Sequence, residues 1–480
     1  MTGLSDLSPQ TRTSCLAERS HGAETLPLKA EESTKLEQDE ISRCSTRPPS
    51  PSADSSPVQL PARRGKEVLG RRERYVLFPE VLGGGMTGVV QKGFDSSTGR
   101  VVAVKRIRCD KDCYIRFLEI HKGNRETFSA EGYAPVDSDA TCWDGPLAHD
   151  PSNAFGAEAF QPESVEGCVV VVRRGGGAPF LQKLQNAQLG GAAGVIIVNG
   201  DDTAEVYSLG DAEAPLPSIM VTREDGEVAI EAALSQQASG GGGSAPSRPA
   251  LAEVSTDVRH ELAICRRLRP HPQVAQVFDA WEDGSSAILI LEFCRGGKAV
   301  APPRGPQGLA VALWLIKQML EGAQHLHSHG ICHRDLKPEN MLLTRPLEEP
   351  GARLVVVDFS MASTAERMIV PCGSPRYAAP EVLKGGGYGL KRDVWSVGMV
   401  AHELLFRRHP FHDLSDQEVV AELLAGEGPC VEASAEVPEV ARDLLTSLLQ
   451  VDPSERPSAD QALLHPCFHG VAPPFVDGQH

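Results

Sequence analysis

Apolar and polar positions divide this chain into stretches of different period. Tyr75-Val76-Leu77-Phe78-Pro79-Glu80-Val81-Leu82 opens a strand, a glycine-rich turn follows at 83–90, and Arg100-Val101-Val102-Ala103-Val104-Lys105 is a second apolar run bounded by turn residues. Beyond residue 113 the character changes. The buried-strand runs Val169-Val170-Val171-Val172 and Gly194-Val195-Ile196-Ile197-Val198-Asn199 flank an amphipathic stretch at 180–187. Pro217-Ser218-Ile219-Met220-Val221 leads to a third strand, and Glu224-Asp225-Gly226 opens another helix. This alternation predicts an α/β or α+β module with a small sheet over 114–237. From Thr256 a helical period takes over, with Val258, Glu261, Leu262, Ile264, Cys265 and Leu268 fitting a helix buried on one face. The remainder to about Phe468 reads as mostly helical, with strands near 287–294 and 354–359.

Two stretches lack such a pattern. Residues 1–72 are rich in Ser, Pro, Glu and Arg and are expected to be a disordered tail. Residues 238–255, around Ser239-Gly240-Gly241-Gly242-Gly243-Ser244, are expected to be a flexible linker. The structured segments are therefore expected at 73–113, 114–237 and 256–470, with a short tail at 471–480.

Composition narrows the function classes. Hydrophobic residues make up 41% of the 480 and charged ones 23%, as in ordinary globular proteins. A net charge of −17 argues against a nucleic-acid-binding surface as the main role. The 12 cysteines form no CxxC pair, which suits a reducing compartment. The Met1 end is polar and no apolar stretch is long enough to span a bilayer, so the expectation is a cytoplasmic protein without a membrane span.

The chemistry is concentrated in His333-Arg334-Asp335-Leu336-Lys337-Pro338-Glu339-Asn340. A carboxylate at Asp335 suits a hydroxyl that must be oriented, and a carboxamide five residues later suits a Mg²⁺ held on the same loop. Asp358, at the end of the apolar run Leu354-Val355-Val356-Val357, can hold Mg²⁺ against phosphates, with a simple strand-end turn aspartate as the alternative. The glycines of Gly83-x-Gly85-x-x-Gly88-x-Val90 let a strand–turn–strand fold closely over phosphates. Lys105 lies in an apolar strand, where an ammonium is costly without anionic partners. Glu261 is the best candidate partner on the following helix. His325, His327 and His329 alternate before the loop and read as helix-end histidines, with a metal site the less favoured alternative.

Together these motifs resemble the eukaryotic Ser/Thr protein kinases, nearest to the calcium/calmodulin-dependent group, over about 75–110 and 258–468. The resemblance implies a bilobal kinase fold with a β-rich N-lobe and a helical C-lobe, and an ATP- and Mg²⁺-dependent transfer of the γ-phosphate to protein Ser/Thr hydroxyls. It implies Asp335 as catalytic base, Lys337 as the lysine steadying the transferred phosphate, and a Lys105–Glu261 pair on the α- and β-phosphates. Asn340 and Asp358 would bind Mg²⁺. Leu82, Gly83, Gly84, Gly85, Met86, Thr87, Gly88, Val89 and Val90, with Ala103, Lys105 and Leu291 as gatekeeper, would line the nucleotide site. Glu292 and Cys294 would offer backbone hydrogen bonds to adenine. Glu339 is similar to a position that contacts substrate arginine. Arg334 suggests ordering by activation-segment phosphorylation at Ser363 or Thr364, whereas Ser374 sits where a hydroxyl is needed near the loop. Asp393 and Arg456 read as structural.

The chain departs from the pattern at Ser360, where glycine is usual after Asp358-Phe359, and at Thr87, where an aromatic is common. Serine there is expected to alter switching without loss of metal binding. The alternative reading is a pseudokinase scaffold that binds nucleotide and a protein partner without phosphoryl transfer.

Between the Lys105 strand and the Glu261 helix roughly 150 residues intervene, too many for a structureless loop. Glu166-Gly167-Cys168-Val169-Val170-Val171-Val172-Arg173-Arg174-Gly175-Gly176, Asn186-Ala187-Gln188-Leu189-Gly190-Gly191-Ala192-Ala193-Gly194 and Pro217-Ser218-Ile219-Met220-Val221 resemble the protease-associated domain. Such domains are non-catalytic binding or lid modules. The expectation is an inserted regulatory domain with an unknown peptide or protein ligand; a passive insertion is the alternative.

Overall fold

A computed structural model of the chain describes residues 68–69, 74–85, 88–108, 115–122, 126–134, 143–201, 209, 214–239, 250–255, 257–268, 270–283, 286–385 and 387–473. Most of the expected tail and linker, with Met86 and Thr87, lies outside them. Short strand β1 (Val68–Leu69) pairs with β2 (Tyr75–Gly85) and thus trims the expected tail. The chain continues through β3 (Gly88–Asp95) and β4 (Arg100–Arg108). Tyr75, Leu77, Val102 and Val104 bury one face of these strands, as their alternation requires.

Next come β5 (Ile115–Lys122), β6 (Glu126–Tyr133), β7 (Trp143–Ala148), α1 (Pro162–Val165), β8 (Val169–Arg173), α2 (Phe180–Leu189), β9 (Gly194–Val198), β10 (Ser218–Val221), α3 (Arg223–Ser239) and β11 (Leu251–Ser255). The seven strands close a barrel in the order β10-β6-β5-β11-β7-β8-β9. This corrects two expectations. The small sheet is a closed barrel, and 251–255 belong to it instead of to the linker. β11 pairs antiparallel with both β5 and β7, so it supplies the hydrogen bonds those edges would otherwise lack. The continuous apolar runs have a physical reason. Val169 and Val171 pack with Ile196, Ile219 and the α3 residues Ala229 and Ala233, while Val170 and Val172 pack with Leu184 and Ala187 of α2. A parallel strand covered on both faces has no polar side to show.

After the barrel the chain forms α4 (Asp257–Arg267), β12 (Val277–Asp283), β13 (Ser286–Glu292), β14 (Gly297–Lys298), α5 (Pro306–Ser328), β15 (Met341–Leu343), β16 (Leu354–Val356), α6 (Pro380–Lys384), α7 (Lys391–Phe406), α8 (Asp416–Ala425), α9 (Glu439–Leu448) and α10 (Ala459–Leu463). β12 and β13 rejoin the first sheet, whose order is β1-β2-β3-β4-β13-β12. The largest core joins α5, α7 and α9 through Leu315, Met319, Trp395, Val397, Leu444 and Leu448. Arg456, buried beneath them, donates to both carboxylate oxygens of Glu381 at 2.6 and 3.0 Å and stacks over Trp395.

Candidate active site

The site is assembled from both sides of the first sheet. β4 pairs with β3 at Val90↔Lys105 and with β13 at Lys105↔Leu289, which holds Lys105 in the middle of the sheet. Its Nζ lies 2.7 Å from Glu261 Oε1, 3.0 Å from Oε2 and 2.7 Å from Asp358 Oδ1. Lys105 and Glu261 are almost wholly buried. Burial alone would lower the Lys105 ammonium, but the charges of Glu261 and Asp358 outweigh it and raise it above the usual lysine value. Burial likewise works to raise Asp358, and the Lys105 charge and hydrogen bond overcome it, holding the carboxyl at about 2. Asp358 is therefore an anion at any neutral pH.

Asp335 sits in a second cluster. Its Oδ2 meets Lys337 Nζ at 2.7 Å and accepts from Asn340 Nδ2 at 3.1 Å. Its Oδ1 accepts from the backbone N–H and the hydroxyl of Ser374, both at 3.0 Å. Lys337 also donates to Ser374 Oγ at 2.9 Å. Ser374 thus stands against the loop carboxylate, where sequence reasoning sought a hydroxyl. Asp393 fixes the loop from below, accepting from the backbone N–H of His333 at 2.7 Å and of Arg334 at 3.0 Å. His327 adds a third bond to it at 3.0 Å. Burial works to raise the Asp393 carboxyl, but the His327 hydrogen bond and charge, with the charges of Arg392 and His333, hold it well below the usual carboxylate range. Arg334 adopts a left-handed backbone (φ 69°), a strain that the two-point Asp393 contact holds in place.

The donor set suits Mg²⁺. Asn340 Nδ2 donates to the Asp335 backbone carbonyl at 2.8 Å as well as to its carboxylate, which turns the amide oxygen toward other company. The Asn340 backbone carbonyl accepts from the Val357 N–H at 3.0 Å, which brings the start of β15 beside the residue that precedes Asp358. A carboxylate and an amide oxygen are the hard ligands this ion prefers.

The strand-and-turn over the cleft suits phosphate. A Cβ on Gly88 would meet the Arg106 carbonyl oxygen at 2.1 Å, so this glycine is required by the sheet itself. At Gly83 nothing lies within 4 Å and at Gly84 the nearest atom is 3.7 Å away. The fold itself therefore places no steric demand for glycine at these two positions. Gly85 pairs with Gly88 at the end of the hairpin; Leu82 and Val89 are exposed and Val90 half-buried. Ala103 is buried opposite half-buried Leu291. Glu292 spends its backbone N–H on the Gln276 carbonyl at 2.9 Å, so of its two backbone groups only the carbonyl suits an adenine amine. Cys294 is half-buried, and burial pushes its thiol up to about 12.

Three expectations change. Ser363 is buried and exchanges two backbone hydrogen bonds with Cys332, each 2.9 Å, so its hydroxyl is closed to a modifying enzyme in this conformation. Arg334 is buried too and already donates to the Met361 carbonyl and to the Tyr388 hydroxyl. Glu339 is bridged by Lys298 at 3.2 Å. The sequence pointed to none of these pairings. Ser360, by contrast, is not among the described residues with positive φ, and its N–H donates to Asp358 at 3.3 Å.

A protein kinase domain model matches residues 247–468 and a PA domain model matches 143–229. The chain is 35% identical over 233 residues to calcium/calmodulin-dependent protein kinase type 1 of Macrobrachium nipponense, a match covering 47% of this chain and 66% of the relative. It is 34% identical over 231 residues to the type 1 enzyme of Caenorhabditis elegans, covering 46% and 65%. It is 36% identical over 226 residues to the human type IV enzyme, covering 46% of this chain and 47% of the relative. The chain thus spans two thirds or less of these relatives. Among the described residues no helix is long and apolar enough to cross a membrane. This chain carries a protein kinase domain related to the calcium/calmodulin-dependent kinases, together with a PA domain.

Proposed function

We propose that the chain is an ATP- and Mg²⁺-dependent protein serine/threonine kinase whose N-lobe is interrupted by the PA domain. The observation that carries this reading is the Lys105 ammonium within 2.7 Å of both Glu261 and Asp358. Glu261 holds the buried lysine charged, and Asp358, the carboxylate with greater exposure, would accept a metal and leave the ammonium to a phosphate. ATP supplies the transferable phosphoryl group and Mg²⁺ neutralises its developing charge. Lys105 positions the phosphates, Asn340 and Asp358 hold the metal, Asp335 orients the acceptor hydroxyl, and Lys337 faces the charge as it moves. Catalysis of this kind rests on positioning and electrostatics. The deciding experiment is transfer from labelled Mg-ATP to Ser/Thr peptides, with Asp335→Asn as control. Transfer lost in the control supports the reading. Nucleotide binding without turnover would replace it with a scaffold role.

We infer a regulatory part for the PA domain. β11 ends at Ser255 and α4, which bears Glu261, begins at Asp257. Glu119 of β5 pairs with Arg267 in the last turn of α4 at 2.8 Å, and Glu224 of α3 pairs with Arg367 of the activation segment at 2.7 Å. Both elements whose position governs kinase activity are thus tied to the barrel. Replacing 111–255 with a short loop tests this. Unchanged turnover would make the PA domain a passive insertion.

A further inference from the structure

Glu339 is four residues beyond Asp335 and exposed, as a residue meeting substrate must be. Its carboxylate nevertheless has a partner of its own. Lys298 Nζ sits 3.2 Å from Glu339 Oε1, with both side chains about half exposed. The pair is set by topology: β14 pairs with β15 at Lys298↔Leu342, directly after the loop that carries Glu339 and Asn340.

Lys298 and Glu339 line a groove of about 340 Å³ with Tyr377, Glu403, Arg407 and Arg408. The groove borders the reaction centre. Tyr377 follows closely on Ser374, which touches Asp335 at 3.0 Å, and Glu339 closes the same loop from the other side. A peptide that presents its hydroxyl to Asp335 must pass over it.

The charges in the groove do not suit a cation. Glu339 is matched by Lys298. Glu403 accepts the Tyr377 hydroxyl at 2.7 Å, and burial raises its carboxyl above the ordinary value. Arg408 meets Glu432 at 2.7 Å, but Arg407 donates to the carbonyl oxygen of Pro302 and pairs with no carboxylate among the described residues. An incoming arginine would have to displace Lys298. An incoming anion would find Lys298 and Arg407 ready to share it.

We propose that this groove selects a substrate with an acidic or already phosphorylated side chain flanking the acceptor hydroxyl, and that Lys298 is the residue that sets this preference. The proposal rests on the kinase reading above. An exposed pair is individually weak, so Lys298 acts by repelling cations as well as by attracting anions.

The test is a positional peptide library offered to the full chain, with Arg, Ala, Asp and phosphoserine at each position around a fixed Ser. The expected result is a kcat/KM for Asp or phosphoserine about fivefold or more above that for Arg at one flanking position, of the order two charge contacts supply. The ratio between Asp and phosphoserine distinguishes a plain acidic motif from a primed one. Lys298→Glu should invert the preference toward Arg, and Lys298→Ala should reduce it. The overall charge of −17 favours Arg peptides over acidic ones and so works against the expected preference; it cancels, to the two charges a substitution changes, when the ratio of a variant is divided by that of the unaltered chain. A preference for Arg in the unaltered chain, or a ratio untouched by either variant, overturns the proposal. Should no peptide be phosphorylated, the kinase reading fails first. Peptide binding by fluorescence anisotropy then decides this one: tighter acidic peptides that loosen in Lys298→Glu support it, and tighter basic peptides refute it.

Discussion

Ser363 and Cys332 form an isolated antiparallel bridge, each N–H donating to the other's carbonyl at 2.9 Å. The bridge ties the early activation segment to the residue just before the catalytic loop. Ser363 Oγ turns inward and accepts from the Ala365 N–H at 3.2 Å. A negative charge at this hydroxyl would enter a site with almost no solvent. Ser363→Asp is expected to lose about 3 kcal/mol or more of stability, as an unpaired buried charge does. It should lower activity instead of mimicking activation. Thermal melts beside peptide kinase assays check this, and a fully stable, more active variant would restore Ser363 as a regulatory site. Thr364, half-buried, should tolerate the same change better.

The PA-domain contacts predict a reciprocal charge effect. Glu224 and Arg367 are both partly exposed, so their 2.7 Å pair is worth about 0.2–1 kcal/mol. Glu224→Arg and Arg367→Glu should each change kcat by no more than about fivefold. Their combination should return toward the unaltered value, because the swapped pair reforms. A double-mutant cycle at low and high salt reads the coupling. Additive effects would mean that this contact does not reach the activation segment's working position.

Acid should destabilise the chain through His260. It is buried on α4, beside Glu261, and its ring Nε2 meets the Ala362 carbonyl at 2.9 Å. Burial, with the positive charges of Arg334 and Arg267 added, lowers its pKa from 6.5 to about 3 despite that hydrogen bond. The folded state therefore refuses a proton that the unfolded state accepts. The stability tied to neutral His260 is complete above pH 6.5 and falls as pH drops toward 3, by about 1 kcal/mol per unit. Burial also lowers His402 and, to about 4, His409, so the acid limb is shared. Urea melts at pH 7.5 and 5.0 should show a smaller pH difference in His260→Gln. An identical difference in variant and unaltered chain would remove His260 from the acid response.

What the sequence discloses, and what it hides, follows from distance along the chain. Asp335, Lys337 and Asn340 share one loop, so their fixed spacing carries the geometry. Lys105 and Glu261 lie 156 positions apart, yet each is marked by its own surroundings: a lysine in an apolar strand, and a glutamate on a half-buried helix. β11 is harder to see. Leu251-Ala252-Glu253-Val254-Ser255 is short, follows a glycine-rich linker, and becomes a strand because β5 and β7 need a partner between them. The closing of the barrel is legible only once that strand is placed. The Lys298–Glu339 bridge joins residues 41 positions apart, and neither is unusual in its own segment. Ser363 looks accessible in a polar stretch and is buried by a bridge that no local pattern announces.

Ser360 offers the last prediction. Glycine after Asp358-Phe359 is usual where the backbone must reach conformations that a Cβ disfavours. Here Asp358 takes the left-handed conformation (φ 65°), and Ser360 does not. Serine is therefore unstrained in this arrangement, and its N–H helps to hold Asp358 at 3.3 Å. The energetic difference between serine and glycine then lies mostly outside this state, in the unfolded chain and in any flipped form of the loop. Ser360→Gly should cost about 0.5–1 kcal/mol in stability through added unfolded-state freedom. It should leave phosphate transfer within about twofold, since Asp358, Lys105 and Asn340 keep their partners. It should also widen the loop's excursions, seen as faster amide exchange at 358–362. If transfer instead appears only in the glycine variant, serine is the block, and the unaltered chain is a nucleotide-binding scaffold.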